Sequence, residues 1–332
     1  MKNELSKYAL VDLHLHLDGA LSPEAIIKIA QKEGTKLPTY DPKELKHYLA
    51  VPKNCESLNE YLKRFDIPNL VLQTEYGLKT ATLDLLERLS KQGSIYAEIR
   101  MAPQLSTSKG LSQEKVVETL VETLKEAEKL YKIKSNLILC LMRGKDNKEA
   151  NLETIKVGQK FLNKGVCALD LAGAEAIFPN ELFEEEFKLI KSLKIPYTIH
   201  AGEASGSESV ISALKMGAQR IGHGVHSVED DEVVEYLADH KIPLELCPTS
   251  NLDTKAVAKL EDLPIKCFLE KGVIVTINTD DPTVSNTSLP EEFALLKELG
   301  LEEKDAKQIA INSINSAFLD KESKQELLKL VK

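Results

Sequence analysis

The chain of 332 residues has no tryptophan, and aromatic residues make up only 5% of it. A ligand site built on an indole platform is therefore excluded. Long apolar runs are missing too. No stretch approaches the roughly 20 consecutive apolar residues that a membrane-spanning helix needs. The opening segment MKNELSKYALVD carries one short apolar run and no signal-peptide core. A cytoplasmic, soluble protein with no membrane partner is the expectation. Positive charge is not in excess: 43 Lys and Arg stand against 52 Asp and Glu, a formal net charge of −9. Without a stripe rich in Lys and Arg, the footprint of a nucleic-acid binder is absent. Cysteines are few: Cys55, Cys140, Cys167, Cys247 and Cys267. Their number is odd and no two are spaced as CxxC, so free thiols are expected.

What is present is a rhythm. Short β-branched or apolar runs alternate with longer amphipathic runs rich in Lys and Glu, the pattern of βα units. Eight runs read as strands: 9–13, 94–100, 136–142, 166–171, 197–200, 220–222, 243–246 and 273–278. The helical segments between them include 113–131, 151–163, 181–193, 208–216 and 230–240. Eight strands with intervening helices predict an α/β fold, a closed parallel (β/α)8 TIM barrel. A chain of 332 residues suits one such domain plus an insertion. That insertion falls at about 18–92, which holds no good strand and reads as helices at 23–34, 41–49, 57–65 and 74–91. A crossover needs only about a dozen residues. The stretch is expected to form a helical lobe, or lid, over the end of the first strand. The predicted organisation is a single catalytic domain over 1–332 carrying this lobe. Ser22 before Pro23 reads as a helix N-cap, and Ser227 before an acidic turn reads as another.

In barrels of this class, catalytic side chains sit at the C-terminal ends of the strands. Strand one runs into His14-Leu15-His16. Two histidines at i and i+2 on a strand point the same way and can reach one ion. By itself such a pair is equally explained as two polar, capped side chains. Asp18 follows, before Gly19. Strand five ends in His200-Ala201-Gly202-Glu203. A Glu beside a metal-bound His is well placed to move protons, although it also reads as an acidic residue at a helix start. Strand six gives His223 between glycines, then His226 in a loop where packing or capping explains it. Strand eight ends in Asp280-Asp281-Pro282. Two carboxylates after an apolar strand are costly unless a cation pairs with them. Strand alternation turns Asp281 away from Asp280, and an Asx turn before Pro282 would account for one Asp only.

Three histidines and one carboxylate, His14, His16, His200 and Asp280, form a nitrogen and oxygen set suited to zinc. Iron and manganese are also chemically admissible. Strand four ends without a lysine, and the nearest one, Lys164, precedes the strand. A modified-lysine bridge between two metals is therefore unavailable, and one zinc per chain is expected. The HxE…PCxxC signature of cytidine-type deaminases is absent, as are GxGxxG and Walker A motifs.

Six segments, HLHLDGALSPE (14–24), DLAGAE (170–175), HAGE (200–203), RIGHGVH (220–226), CPTSN (247–251) and NTDDPTVSNTSL (278–289), resemble the adenosine deaminase family of the metal-dependent amidohydrolases. Their order and spacing agree across nearly the whole chain. The resemblance implies hydrolytic, zinc-dependent deamination of adenosine and 2′-deoxyadenosine to inosine and 2′-deoxyinosine plus ammonia, in purine salvage. The implied partner is a small nucleoside, with no obligate protein partner. The resemblance also implies roles. His14, His16, His200 and Asp280 hold zinc. Glu203 gives a proton to purine N1. His223 orients the attacking water and assists its deprotonation. Asp281 bonds N7, the Gly173 N–H bonds N3, and Asp18 with His16 reaches the ribose 5′-hydroxyl. The helical lobe would close over the ribose and exclude water. Two positions depart from the pattern: Ala174 stands where an acidic residue is usual, and Lys255 where glycine is common. A relative acting on adenine, an N6-methylated adenine nucleotide or aminodeoxyfutalosine is the nearest alternative. A non-catalytic barrel is the alternative from another class; it would be expected to have lost Glu203, His223 or a ligand.

Overall fold

The computed structural model describes residues 4–52 and 55–331, so residues 53 and 54 of the expected lobe lie outside the described residues. All eight expected strands form: β1 Val11–His16, β2 Tyr96–Met101, β3 Lys134–Met142, β4 Val166–Ala172, β5 Thr198–Ala201, β6 Arg220–His223, β7 Leu244–Leu246 and β8 Val275–Ile277. They pair in parallel in the orders β1-β2-β3-β4 and β5-β6-β7-β8. Two bridges complete the ring, Leu169 with Tyr197 and Leu15 with Asp280. At the second, His16 N–H donates to Asp280 O and Asp280 N–H donates to His14 O, both at 2.8 Å. The fold is a (β/α)8 barrel.

Two expectations about its edges need correction. His14 and His16 lie inside β1, and His223 inside β6, rather than beyond the strand ends. The ladder carries them: His16 pairs with Arg100, and His223 with Ala201. Ser22 caps its helix, accepting from Ala25 N–H at 3.1 Å. Ser227 does not. It lies in a 3-10 turn, Val225–Glu229, and the helix Asp231–His240 is capped by Asp230, which accepts from Glu232 N–H at 2.9 Å. A carboxylate at that position also complements the helix dipole.

Between β1 and β2 stand helices Pro23–Glu33, Pro42–Leu49, Leu58–Tyr61, Asp66–Val71 and Glu75–Gln92. The last packs on Gln113–Tyr131 in the outer ring and is the crossover helix proper. The helices before it are added material, and the turn Leu62–Phe65 among them reaches the mouth of the barrel.

The barrel interior is not apolar. Asp12, His14, Glu98, Arg100, Asp170, Arg220 and Glu245 are all at most 1% exposed. Glu98 and Arg220, Arg100 and Glu245, Arg100 and Asp170, and His14 and Glu245 meet across strands that are not neighbours, which places them inside the ring. Arg220 Nη1 lies 2.7 Å from Glu98 Oε2, and its Nε lies 2.5 Å from Glu245 Oε1. Arg100 pairs with the other Glu245 oxygen and lies 3.5 Å from Asp170. Charges this deep are tolerated when they are paired and hydrogen-bonded, and Asp12 accepts from the His14 N–H and the Thr279 hydroxyl instead. Below them, Arg220 donates to Ser316 O at 2.9 Å and stacks 3.9 Å over Phe318, closing the floor with the C-terminal segment.

Candidate active site

His14 and His16 project from β1, His200 from β5, and Asp280 follows β8. Their ligand atoms converge. His14 Nε2 is 3.0 Å from His200 Nε2, and His16 Nε2 is 3.3 Å from it. Asp280 Oδ1 is 3.3 Å from His14 Nε2 and 3.4 Å from His16 Nε2. A tetrahedron of donors with bonds of about 2.0–2.1 Å has edges near 3.3–3.4 Å, so these spacings fit zinc.

The opposite faces of two rings strengthen the fit. His14 Nδ1 is 2.9 Å from Glu245 Oε2, and His200 Nδ1 is 2.9 Å from Asp170 Oδ2. A carboxylate there holds the proton on Nδ1 and leaves Nε2 as a bare lone pair. Two such lone pairs and a carboxylate cannot face one another closely without a cation. Burial and Arg100 disfavour a charged His14 ring, yet Asp280 and Glu245 raise its proton affinity above the usual histidine value. The cluster calls for positive charge at its centre, and a divalent metal supplies it.

His223 differs. Cys247 N–H donates to Asn251 Oδ1 at 3.3 Å, which turns the Asn251 amide so that its Nδ2 donates to His223 Nδ1 at 3.0 Å. The ring proton therefore sits on Nε2, which lies 3.5 Å from Glu203 Oε2 and 3.9 Å from Asp280 Oδ2. Burial holds the ring neutral, well below the usual histidine range. Ser250 Oγ donates to Asp280 Oδ2 at 2.6 Å and fixes that carboxylate from the other side. His223 and Asp280 both have φ of 58°, in the left-handed region that non-glycine residues avoid. Such strain persists where surrounding contacts over-determine it, and it clusters at functional sites.

Glu203 is 5% exposed, and its Oε1 has no hydrogen-bond partner among the described residues. Burial first, then the Asp280 and Glu175 charges, push its carboxyl well above the usual range. Asp281 Oδ1 is likewise buried without a partner. A Cβ on residue 19 would lie 1.7 Å from that oxygen, so Gly19 is required for Asp281 to hold its place.

These groups share one cavity of about 320 Å³, within the range of small-molecule sites. Its wall brings together His16, Asp18, Gly173, His200, Glu203, His223, Asp280 and Asp281, while Leu58, Leu62 and Phe65 of the added helices stand over its mouth. His14 lies behind the wall, within the cluster. His226 is half-buried, away from the cavity, and pairs with Glu229 at 2.8 Å. The sequence reading did not single out Glu245, Asp170, Arg100, Ser250 or Asn251 as site residues. A signal existed for the first two: a lone carboxylate inside an apolar strand, ALDLA or LEL, needs a hidden partner. The hydroxyl and amide carry no such mark.

The model of the adenosine deaminase family matches residues 9–332. The chain belongs to the adenosine deaminase family. An adenosine deaminase from Haemophilus ducreyi is 48% identical over 329 residues, covering 98% of this chain and 96% of that protein. One from Clostridium botulinum is 44% identical over 328 residues, covering 98% of each. Among solved structures, an adenine deaminase from Arthrobacter aurescens superposes with a TM-score of 0.88 at 31% identity, over 97% of both chains. An Arabidopsis N6-mAMP deaminase gives 0.85 at 25% identity, over 98% of both. Proteins named for different substrates thus share this barrel.

Proposed function

We propose that this chain deaminates adenosine and 2′-deoxyadenosine by hydrolysis at C6, giving inosine or 2′-deoxyinosine and ammonia. One observation carries the reading: a zinc-fitting cluster, the buried Glu203 carboxyl and the Nε2 of His223 open onto the same cavity. The identity to adenosine deaminases, 48% and 44%, exceeds the 31% to the adenine deaminase and favours the nucleoside.

His14, His16, His200 and Asp280 would hold one zinc. When bound, zinc supplies Lewis acidity that lowers the pKa of water towards about 7. The chain supplies the rest. Attack at C6 pushes electrons onto N1, and Glu203 delivers its proton there. His223, protonated on Nε2, donates to the attacking oxygen and orients it. The Asn251 contact at Nδ1 supports the orienting role. Asp281, whose Oδ1 is buried without a partner among the described residues, meets N7. The Gly173 N–H meets N3. Asp18 and His16 meet the ribose 5′-hydroxyl. Leu58, Leu62 and Phe65 cover the sugar and keep water out. The setting proposed is cytoplasmic purine salvage, and the five free thiols suit a reducing compartment.

The test is a substrate panel assayed for ammonia, with the adenosine reaction followed by its absorbance change. Adenosine and 2′-deoxyadenosine are expected to have the highest kcat/KM. A higher value for adenine or N6-methyl-AMP would overturn the assignment. Metal analysis after dialysis is expected to give about one zinc per chain, as for a set of protein ligands this complete.

A further inference from the structure

Glu175 is 2% exposed and takes no part in the chemistry proposed above. Its carboxylate is nonetheless among the most heavily bonded in the molecule. Oε1 accepts from Gly202 N–H at 2.7 Å and from the Ser209 hydroxyl at 2.5 Å. Oε2 accepts from Glu203 N–H at 3.1 Å, Ala204 N–H at 2.7 Å and Ser205 N–H at 3.3 Å. Four successive backbone donors of the turn between β5 and the helix Ser207–Met216 therefore close around one anion. Concave runs of amide groups of this kind bind phosphates and other anions. Here the chain fills its own cradle.

The turn so held is the one that carries Glu203. The Glu203 side chain has few anchors of its own. Oε1 is unpartnered, Oε2 stands 3.5 Å from His223, and Thr254 gives one side-chain hydrogen bond. Its position is thus set mainly by its backbone, and the backbone is set by Glu175. The turn begins in a left-handed residue, Gly202 with φ of 68°, a conformation that glycine adopts without strain. Behind the cradle, Asn180 donates to Ser209 O at 2.9 Å. Arg143 donates to Asn180 Oδ1 and to His200 O, both at 2.6 Å. The brace therefore reaches the end of β5.

We infer that Glu175 is a positioning residue for the deamination: it fixes the 202–205 turn so that the Glu203 carboxyl meets the purine ring. The inference rests on the reaction proposed above. A neutral amide cannot replace this carboxylate. Glutamine offers one acceptor oxygen and turns its NH2 donors towards amide N–H groups that are themselves donors. Displacement of a reacting group by about 1 Å can cost on the order of 10²-fold in rate.

The test is a double-mutant cycle, with Glu175→Gln made in the wild-type chain and in Glu203→Gln. In the wild-type background kcat is expected to fall at least about tenfold, with KM and zinc content little changed. In the Glu203→Gln background the same change is expected to alter the residual kcat by less than about twofold, because coupled residues do not add. Equal losses in both backgrounds, a change confined to KM, or no loss would overturn the inference. Glu175→Asp keeps the charge and withdraws it by one methylene. It is expected to recover part of kcat, and it runs the same cycle if the Gln variant does not fold. Hydrogen exchange of the peptide spanning 202–205 gives a readout independent of turnover: slow in the wild type, faster in Glu175→Gln. Fast exchange in the wild type would also overturn the inference. Failure of the wild type to deaminate adenosine would sink the reaction instead, and the exchange rates would still decide whether Glu175 holds the turn.

Discussion

His14 Nδ1 lies 2.9 Å from the Glu245 carboxylate, in the middle of the barrel. Burial works against ionisation of Glu245, but Arg100 and Arg220 beside it prevail and hold its carboxyl well below the usual range. The anion orients a ring whose other nitrogen belongs to the zinc-fitting cluster. Loss of such a supporting group typically lowers metal affinity by about 10–100-fold. Glu245→Gln is expected to weaken zinc by that factor, read by competition with a chelator. Unchanged affinity would show that the contact does not support the ligand.

The Glu98–Arg220 pair tests the floor of the barrel. Both groups are buried, at 2.7 Å, and Glu98 Oε1 also accepts from Phe318 N–H at 2.6 Å. Loss of Glu98 leaves Arg220 paired with Glu245, so the cost lies below the roughly 3–5 kcal/mol of a fully orphaned charge and near the roughly 1–3 kcal/mol of a lost buried hydrogen-bond partner. Glu98→Gln is expected to lose stability of this order in urea unfolding. A loss under about 1 kcal/mol would place the pair with weakly contributing surface bridges.

Glu203→Gln keeps the shape of the side chain and removes its proton. Zinc should stay bound while kcat falls by roughly 10² or more, the usual contribution of general acid catalysis. Retained activity, measured by inosine formation, would take Glu203 out of its role.

A fourth expectation concerns stability against pH. Glu292 is fully buried, and burial pushes its carboxyl from the usual 4.5 up to about 7, against hydrogen bonds from Thr249 and Thr287. Between these values the folded state holds a proton that the unfolded state has lost. Stability is therefore full below about pH 4.5 and declines as pH rises towards about 7, by about 3 kcal/mol from this group. Glu292→Gln should flatten that part of the profile in denaturant titrations at pH 5 and pH 8. An unchanged slope would remove Glu292 as its source.

Much of this was legible without coordinates. All eight strands were expected, several within a residue or two, because βα units punctuate a sequence strongly. His14, His16, Glu203, His223, Asp280 and Asp281 stand out because titratable side chains next to apolar strands have few explanations. The carboxylate brace was not legible. Asp170, Glu175 and Glu245 lie in separate segments, and nothing in their own neighbourhoods says what each one faces. Ser227 misled as a cap because Asp230, three residues on, competed for the same helix start and won.

Local pattern was enough for the alternation of strands and helices, the residue types at the strand ends, and thus the chemistry they can perform. Only the folded chain sets what stands behind the rings of His14, His200 and His223, and with it which nitrogen of each carries the proton. His14 and His200 face carboxylates and present bare Nε2 atoms to the cluster, while His223 faces the Asn251 amide and presents an N–H to the cavity. The three residue types are identical. The difference lies in the partner behind each ring, and that partner is brought there only by closure of the barrel.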